Sequence, residues 1–378
     1  DASRVVGCHG VGDLLAGLTT AFLLVMHALG RLEIWHIYLV CVIGGAGEAF
    51  QQPAYMAAIS TMILQKHYGR AQGMVGMVGS ATSIAAPVLA GALLGVIGIR
   101  GIMAIDIATC LFAIGMLLLV SVPRPKPTNE GVKARGSMLR ESAYGFRFLL
   151  ERRPLLYLLL SYALLNFVLS IATSIEAPMI LARTDTNELV LGAVQMFFGL
   201  GGVAGGALFS LWGGPKRRIR AVFGAVILTM LSGPVLLGVS RSLPLWAAGA
   251  FCLVFFAQVA GASSNVIWQH KVPKDVQGRV FAYRGMIASI ASPLGMVAAG
   301  TFADYLFEPL MRVGGRGTAL FGPLVGSGTG AGMGLMLVFA GVAGACLGLS
   351  GFLIPAIRNL EKLVPDVDDE AEDLSAKP

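Results

Sequence analysis

Residues 69–97, which read GRAQGMVGMVGSATSIAAPVLAGALLGVI, decide the fold class of this chain. The part at 73–97 carries no charged side chain, and about 20 apolar residues are enough to cross a bilayer as a helix. Its glycines and alanines are the small residues that let helix backbones approach closely in lipid. A second apolar run follows at 101–121. The pattern predicts two consecutive membrane-spanning helices.

Apolar runs of similar length continue on both sides of this stretch. Of the 378 residues, 56% are hydrophobic and 13% are charged, whereas soluble domains carry about 25% charged residues. No run alternates polar and apolar residues as barrel strands do. The sequence therefore predicts an all-α polytopic membrane protein with ten spans, at 10–29, 34–63, 73–97, 101–121, 154–180, 188–211, 219–239, 244–268, 280–303 and 331–356.

The basic residues indicate how the spans are oriented. Alternate connectors, together with both chain ends, hold 22 of the 28 Lys and Arg residues. By the positive-inside rule these connectors and both termini are cytoplasmic. The net charge of +7 thus reflects topology and not nucleic-acid binding. The five cysteines lie in apolar runs without CxxC spacing, so we expect neither a metal site nor a cofactor.

The longest basic connector divides the chain. We expect a first helix bundle at 1–122, a cytoplasmic linker at 123–153, a second six-helix bundle at 154–356 and a disordered acidic cytoplasmic tail at 357–378. Residues 137–150 of the linker have the spacing of a surface amphipathic helix. Gly-Arg pairs end at Arg70 and Arg279, and each opens a span with a central proline, Pro87 or Pro293. This echo indicates two related halves, of which the first is shorter by two helices.

Six segments in this order carry a family resemblance: GDLLAGLTTAFLLV, EAFQQPAYMAAIS, GRAQGMVGMVGSATSIAAPVLAG, GGPKRR, GRVFAYRGM and LFGPLVGSGTGAGMGLM. Together they resemble the major facilitator superfamily, and within it the branch of enterobactin and macrolide exporters. The resemblance implies a major facilitator fold with about ten of the usual twelve transmembrane helices. It also implies an N-terminally truncated chain.

Two family motifs are implied by the resemblance. The loop motif G-x-x-x-D-R/K-x-G-R/K-R/K clamps helix ends through charges and helix dipoles. In the second half Ser210 stands where the motif has Asp, and in the first half Asp1 and Asp13 fit the motif's acid and the next helix's Asp. The residues that follow its outline are Gly206, Gly213, Lys216, Arg217 and Arg218.

The second motif is the antiporter motif of the fifth helix, G-x8-G-x3-G-P-x2-G. Gly73 and Pro87 match it, Thr82, Ala86 and Ala90 are small residues at its other glycine positions, and Gly91 directly follows the last of these. A proline bend with close packing seals a transport pathway in one state. The match favours export over uptake, although a Gly-rich packing face gives the same pattern.

Ionisable residues inside the membrane are costly and are candidates for function. Glu48 lies near the centre of its span beside Gln51 and Gln52, and Glu176 lies towards the outer end of another. Asp106 is about one turn inside the outer face. A buried carboxyl group can exchange protons, which proton coupling requires. Structural hydrogen bonding or helix capping is the alternative for each.

Uncharged polar residues complete the candidate pathway: Asn166, Gln195, Gln258 and Asn265. The last two are seven residues apart and share one helix face. Interhelical hydrogen bonding accounts for them equally well.

The resemblance implies a secondary transporter that exports small amphiphilic molecules (a drug, a macrolide or a siderophore-like product) by alternating access with proton antiport. The expected partners are a small-molecule substrate, protons and the lipid bilayer of the cell inner membrane. We expect the protein to be a monomer. An uptake symporter of the same fold, an inactive truncated fragment and a membrane protein of another class are the alternatives. No Walker motif or catalytic triad pattern occurs, so we expect no enzyme.

Overall fold

The structure, a computed structural model, describes residues 2–119 and 138–367. Regular structure in these two ranges is helical, and they contain no strand. Seven of the helices there are long and apolar enough to cross a membrane. The predicted all-α polytopic membrane fold is therefore confirmed. Asp1, residues 123–137 of the linker and the end of the acidic tail lie outside the described residues.

Three long helices form the first part of the chain: α1 (Ala2–Ala28), α2 (Ile34–Met62) and α3 (Tyr68–Leu119). Helix α3 covers two of the predicted spans. Gly98 separates them, with φ of 64° and ψ of 179°. Since that conformation is readily available only to glycine, the helix breaks there into two arms.

Helix α4 (Met138–Glu151) is the amphipathic helix that the linker sequence predicts. Phe148 and Leu149 are buried on one face, while Phe146 and Leu150 are about half exposed. A helix with one apolar face is stabilised by packing that face and not by its own propensity.

The second part of the chain consists of long apolar helices joined by short ones. Two π-helical turns, Leu231–Val235 and Ala303–Phe307, each follow directly on one α-helix and lead into the next. The bounds are α5 (Arg153–Arg183), α6 (Glu188–Trp212), α7 (Arg218–Met230), α8 (Leu236–Val239), α9 (Leu243–Lys271), α10 (Gln277–Phe302), α11 (Glu308–Met311), α12 (Thr318–Val325), α13 (Ala331–Leu353), α14 (Pro355–Arg358) and α15 (Leu360–Leu363).

The expected disorder of the tail does not extend to residues 357–367. Two short helices, α14 and α15, lie in or next to this range, and Ile357 and Leu360 are fully buried. The acidic composition that predicted disorder belongs mainly to the residues after 367. The apolar side chains before that point are what bury this segment.

Contacts group the chain into two compact units. The first comprises residues 1–65, 85–148 and 272–286, and the second comprises 66–84, 149–271 and 287–378. The domain boundaries expected from the sequence remain a prediction.

In the first unit α1 packs along α2 and also contacts the second arm of α3. The Thr20 hydroxyl donates to Asp106 Oδ2 at 2.7 Å. One turn away, a Cβ added to Gly17 would lie 2.6 Å from Cys110 Sγ. Asp106 therefore acts here as a hydrogen-bonding partner between helices.

The second unit has an extensive apolar core. Residues of α5, α6, α8, α9, α10 and α13 meet in it, and its largest fully buried members include Trp246 and Met179. The remaining buried members are Ala172, Ile175, Ile180, Val194, Leu237, Ala250, Leu253, Ala299, Ala303, Met336, Leu337 and Ala340.

Candidate functional site

A groove within the first unit runs between α1 and α2 and has a volume of about 540 Å³. Its polar lining comes from one helix, through Glu48, Gln51, Gln52 and Tyr55. These positions recur with helical spacing and therefore share one face of α2. The rest of the wall is small or apolar: Gly12, Leu15, Ala16, Gly44 and Gly47.

Small residues keep this groove open. A Cβ added to Gly44 would meet nothing within 4 Å, so side chains are missing where the groove lies. At Gly12 the opposite holds, because an added Cβ would come within 3.2 Å of the Gln51 side chain. Gly12 thus lets α1 approach α2 closely at one wall, and the glycines of α2 leave the space.

Among the lining residues that the structure describes, the groove carries one acidic group and no basic one. Glu48 is exposed to the groove and has no ion-pair or hydrogen-bond partner within the described ranges. An apolar cleft with a few convergent polar groups is the usual form of a small-molecule site. This groove can therefore accept an amphiphilic molecule, with its carboxylate facing a cationic or hydrogen-bond-donating group.

Glu176 of α5 occupies a different environment in the second unit. Its side chain is only 5% exposed, amid the apolar core that includes Ile175 and Met179. Gln195 of α6 donates to Glu176 Oε1 at 3.5 Å. No cation lies within ion-pair distance of this carboxyl group among residues 138–367. A carboxyl group in such surroundings is costly to ionise.

Three other polar candidates lie in hydrogen bonds between or along helices. Gln258 Nε2 donates to Ser80 Oγ at 2.9 Å, and Asn265 Nδ2 donates to Gln72 Oε1 at 3.1 Å. Both bonds join α9 to the first arm of α3, inside the second unit. Asn166 Nδ2 donates to the Tyr162 carbonyl oxygen of its own helix at 2.8 Å. Their part in a substrate pathway remains a prediction.

The first arm of α3 also packs against α6 through glycines. A Cβ added to Gly73 would lie 2.7 Å from Ser210 Cα, and one added to Gly206 would lie 2.8 Å from Met77 Cα. Gly69 faces the Gly213 carbonyl in the same way. Small residues four positions apart let two helices meet backbone to backbone.

Most residues of the two family motifs lie at helix ends or on exposed surface. Gly213 ends α6 with a φ of 79° and donates its N–H to the Phe209 carbonyl oxygen. The Arg218 N–H donates to Glu361 Oε1 at 3.0 Å. Arg70, Pro87, Gly91, Lys216 and Arg217 are exposed, and Arg279 is partly buried. Asp13 belongs to α1, but its side chain lies outside what the structure describes.

Two contributors were missed by the sequence reasoning. Tyr55 lines the groove, and its place seven residues after Glu48 puts it on the same helix face, so the helical period was a usable signal. Gln72 is bonded to a residue 193 positions later. No sequence period links two residues so far apart.

Comparison with known proteins agrees with this architecture. The sequence pattern of the Major Facilitator Superfamily matches residues 10–296. Macrolide efflux protein A of Streptococcus pyogenes is 24% identical over 299 residues, which are 77% of this chain and 72% of that protein. The multidrug efflux pump Tap of Mycolicibacterium fortuitum is 27% identical over 312 residues, covering 78% and 72%.

Solved structures share the fold at low identity. The human organic anion transporter MFSD10 (TETRAN) aligns with a TM-score of 0.60 at 15% identity, over 92% of this chain and 82% of that one. A bacterial homologue of the iron transporter ferroportin, in an outward-facing state, aligns with a TM-score of 0.55. From the apolar helices and the match over residues 10–296, the chain belongs to the Major Facilitator Superfamily of membrane transporters.

Proposed function

We propose that this protein exports small amphiphilic molecules across the cell inner membrane by alternating access. The observation that carries the proposal is the apolar groove between α1 and α2, with Glu48 as the one charged residue among the lining residues that the structure describes. Efflux proteins stand among the relatives of the chain, which supports the outward direction.

The groove favours substrates with a large apolar surface and a positive or hydrogen-bond-donating group. Glu48 supplies the negative charge, and the Gln51 and Gln52 side chains offer both donors and acceptors. A polar nutrient with several charges finds no matching set of charged groups among the described lining residues of the groove. That composition supports export of amphiphiles over uptake of nutrients.

We further propose proton antiport, with Glu176 as the group that carries the proton. Its burial in the apolar core penalises the charged state, and Gln195 is its hydrogen-bond partner. In this proposal Glu48 faces the substrate and Glu176 carries the proton. We also propose a monomer, and the distribution of basic residues supports a cytoplasmic position for both ends of this chain.

The test is efflux of a dye and antibiotic panel from a pump-deficient bacterial host that expresses the complete reading frame. The panel pairs lipophilic cations with neutral amphiphiles of similar size. We expect wild-type cells to export members of both groups, and a protonophore to abolish export. Retention of every compound, or export that ignores the protonophore, contradicts the proposal.

Three variants separate the roles of the carboxylates. Glu48→Gln raises the KM for cationic dyes about tenfold, because one charge–charge contact is lost, and changes neutral substrates little. Glu176→Gln keeps substrate binding within about twofold, since Glu176 lies in the apolar core of the second unit whereas the groove belongs to the first, but it abolishes substrate-driven proton release in everted vesicles. Glu188→Gln is the matched control, as Glu188 is exposed at the start of α6. Proton release by Glu176→Gln at the wild-type rate would exclude Glu176 as the carrier.

A further inference from the structure

The segment after α13 folds back onto the end of the second unit where α5 and α7 begin and α9 finishes. Residues 355–367, named here the strap, contain the four-residue helices α14 and α15. Helix α14 contacts α5, α7 and α13, and α15 contacts α5. The strap thus joins helices that are far apart in the sequence.

One lysine anchors the strap. Lys271, the last residue of α9, has a side chain only 5% exposed, and its Nζ lies 2.8 Å from Asp366 Oδ1. The same Nζ donates to the carbonyl oxygens of Glu361, at 3.0 Å, and Val364. Three contacts on one ammonium group match its three donors.

Two further contacts surround this anchor. His270 Nδ1 lies 3.6 Å from Asp366 Oδ2, and the His270 ring meets the Tyr68 ring edge-on at 5.4 Å. On the α7 side, Glu361 Oε1 accepts the Arg218 N–H at 3.0 Å. A carboxylate at a helix N-terminus is favoured by the helix dipole. The strap is therefore bound to both α9 and α7 through polar contacts.

The strap is held in place by its contacts with the helices around it. Helices of four residues are not stable on their own, so its order depends on docking. Its apolar contacts are few: Ile357 and Leu360 are fully buried, and Val364 is 7% exposed. On the solvent side the strap is held by the Lys271–Asp366 ion pair, in which the Asp366 side chain is 35% exposed and the Lys271 side chain is buried.

We propose that the docked strap slows transport and that the Lys271–Asp366 ion pair keeps the strap docked. Docked, it ties the ends of α5, α7 and α9 together; released, it lets these ends move in the transport cycle. This inference rests on the proposed transport function. It assigns the strap a regulatory role on the membrane face that carries the chain's C-terminal residues.

The test uses the complete protein in lipid nanodiscs and in cells, with Asp366→Asn as the release variant. Lys362→Gln is the matched control, because Lys362 is exposed in the same segment and lies outside the anchor. In Asp366→Asn we expect amide exchange in 355–367 to rise about tenfold while α7 and α9 keep their protection. The maximal efflux rate rises about two- to fivefold at unchanged KM, as for a step gated by conformational change.

Each other result counts against a stated part of the inference. Loss of protection throughout α7 and α9 in Asp366→Asn shows that the strap is an inseparable part of the fold and overturns the inference. If the strap is released in Asp366→Asn and efflux is unchanged or slower, the claim that the docked strap slows transport is wrong. If the wild type exports nothing, the proposed function fails. In that case a rise in amide exchange confined to residues 355–367 still supports a releasable segment, whereas an equal rise across α7, α9 and the strap rejects it.

Discussion

Glu48 and Glu176 differ in burial in a way that their positions along the helices do not reveal. The sequence places Glu48 near the centre of its span and Glu176 closer to an end. In the structure Glu48 is exposed to a groove, whereas Glu176 is 5% exposed inside the apolar core. Position along a helix sets membrane depth, but only the neighbouring helices set burial. That is why the sequence could name both carboxylates and could not distinguish their surroundings.

Arg183 at the end of α5 shows how one cation organises several helix ends. Its Nη1 donates to the carbonyl oxygens of Gly238 and Ser240 at 3.0 and 2.6 Å, and its Nη2 donates to that of Val325 at 3.0 Å. These carbonyls lie at the C-terminal ends of α8 and α12, which attract positive charge. The guanidinium therefore holds α5, α8 and α12 together.

We expect Arg183→Gln to lower the free energy of unfolding by about 3 kcal/mol, because partly buried carbonyls lose a charged donor. The matched control is Arg241→Gln, since Arg241 is exposed and makes one long bond, 3.5 Å to Gly322. That control should cost less than about 1 kcal/mol. Denaturant titration in detergent measures the free energy of unfolding of both variants. Equal decreases would contradict the conclusion that Arg183 holds the three helix ends together.

At the scale of elements, the first arm of α3 packs as a small-residue face against α6. Gly73 and Gly206 bring the two backbones together, and Ser80 and Gln258 add a hydrogen bond to α9. The sequence showed the small residues as a motif. It could not show which helix they face, because spacing within one helix carries no information about its partner.

Two alanine substitutions on one helix test this packing. Gly73→Ala should destabilise the protein by about 1–3 kcal/mol, because the added Cβ overlaps backbone atoms of α6. Gly79→Ala should be neutral or stabilising by up to about 1 kcal/mol, since its Cβ would meet nothing within 4 Å. Thermal unfolding followed by tryptophan fluorescence compares them. A tolerated Gly73→Ala would mean that the two helices separate more easily than the packing implies.

At the scale of the molecule, the apolar runs predicted the helices well. Spans expected at 188–211 and 244–268 are helices at Glu188–Trp212 and Leu243–Lys271. Length and hydropathy suffice for this, because lipid leaves the backbone few alternatives to a helix. The strap escaped prediction because its anchor joins residues 271 and 366, which no local pattern connects.

Topology is the remaining prediction at this scale. Single cysteines at Asp185 and Lys216, in a background without native cysteines, mark the turns at the two ends of α6. By the positive-inside rule, a membrane-impermeant maleimide should label Asp185→Cys in intact cells and Lys216→Cys only after permeabilisation. The reverse pattern would place both termini outside.

The π turn at Leu231–Val235 has a consequence for related sequences. Such a turn accommodates one more residue than an α-helical turn, so it amounts to a one-residue insertion in a transmembrane helix. Each residue rotates a helix by about 100°, so removing one here would swing Gly238 and Ser240 away from Arg183. Homologues that lack this residue should therefore also lack the arginine, and an alignment that ignores the extra residue will misplace every lipid-facing position after it.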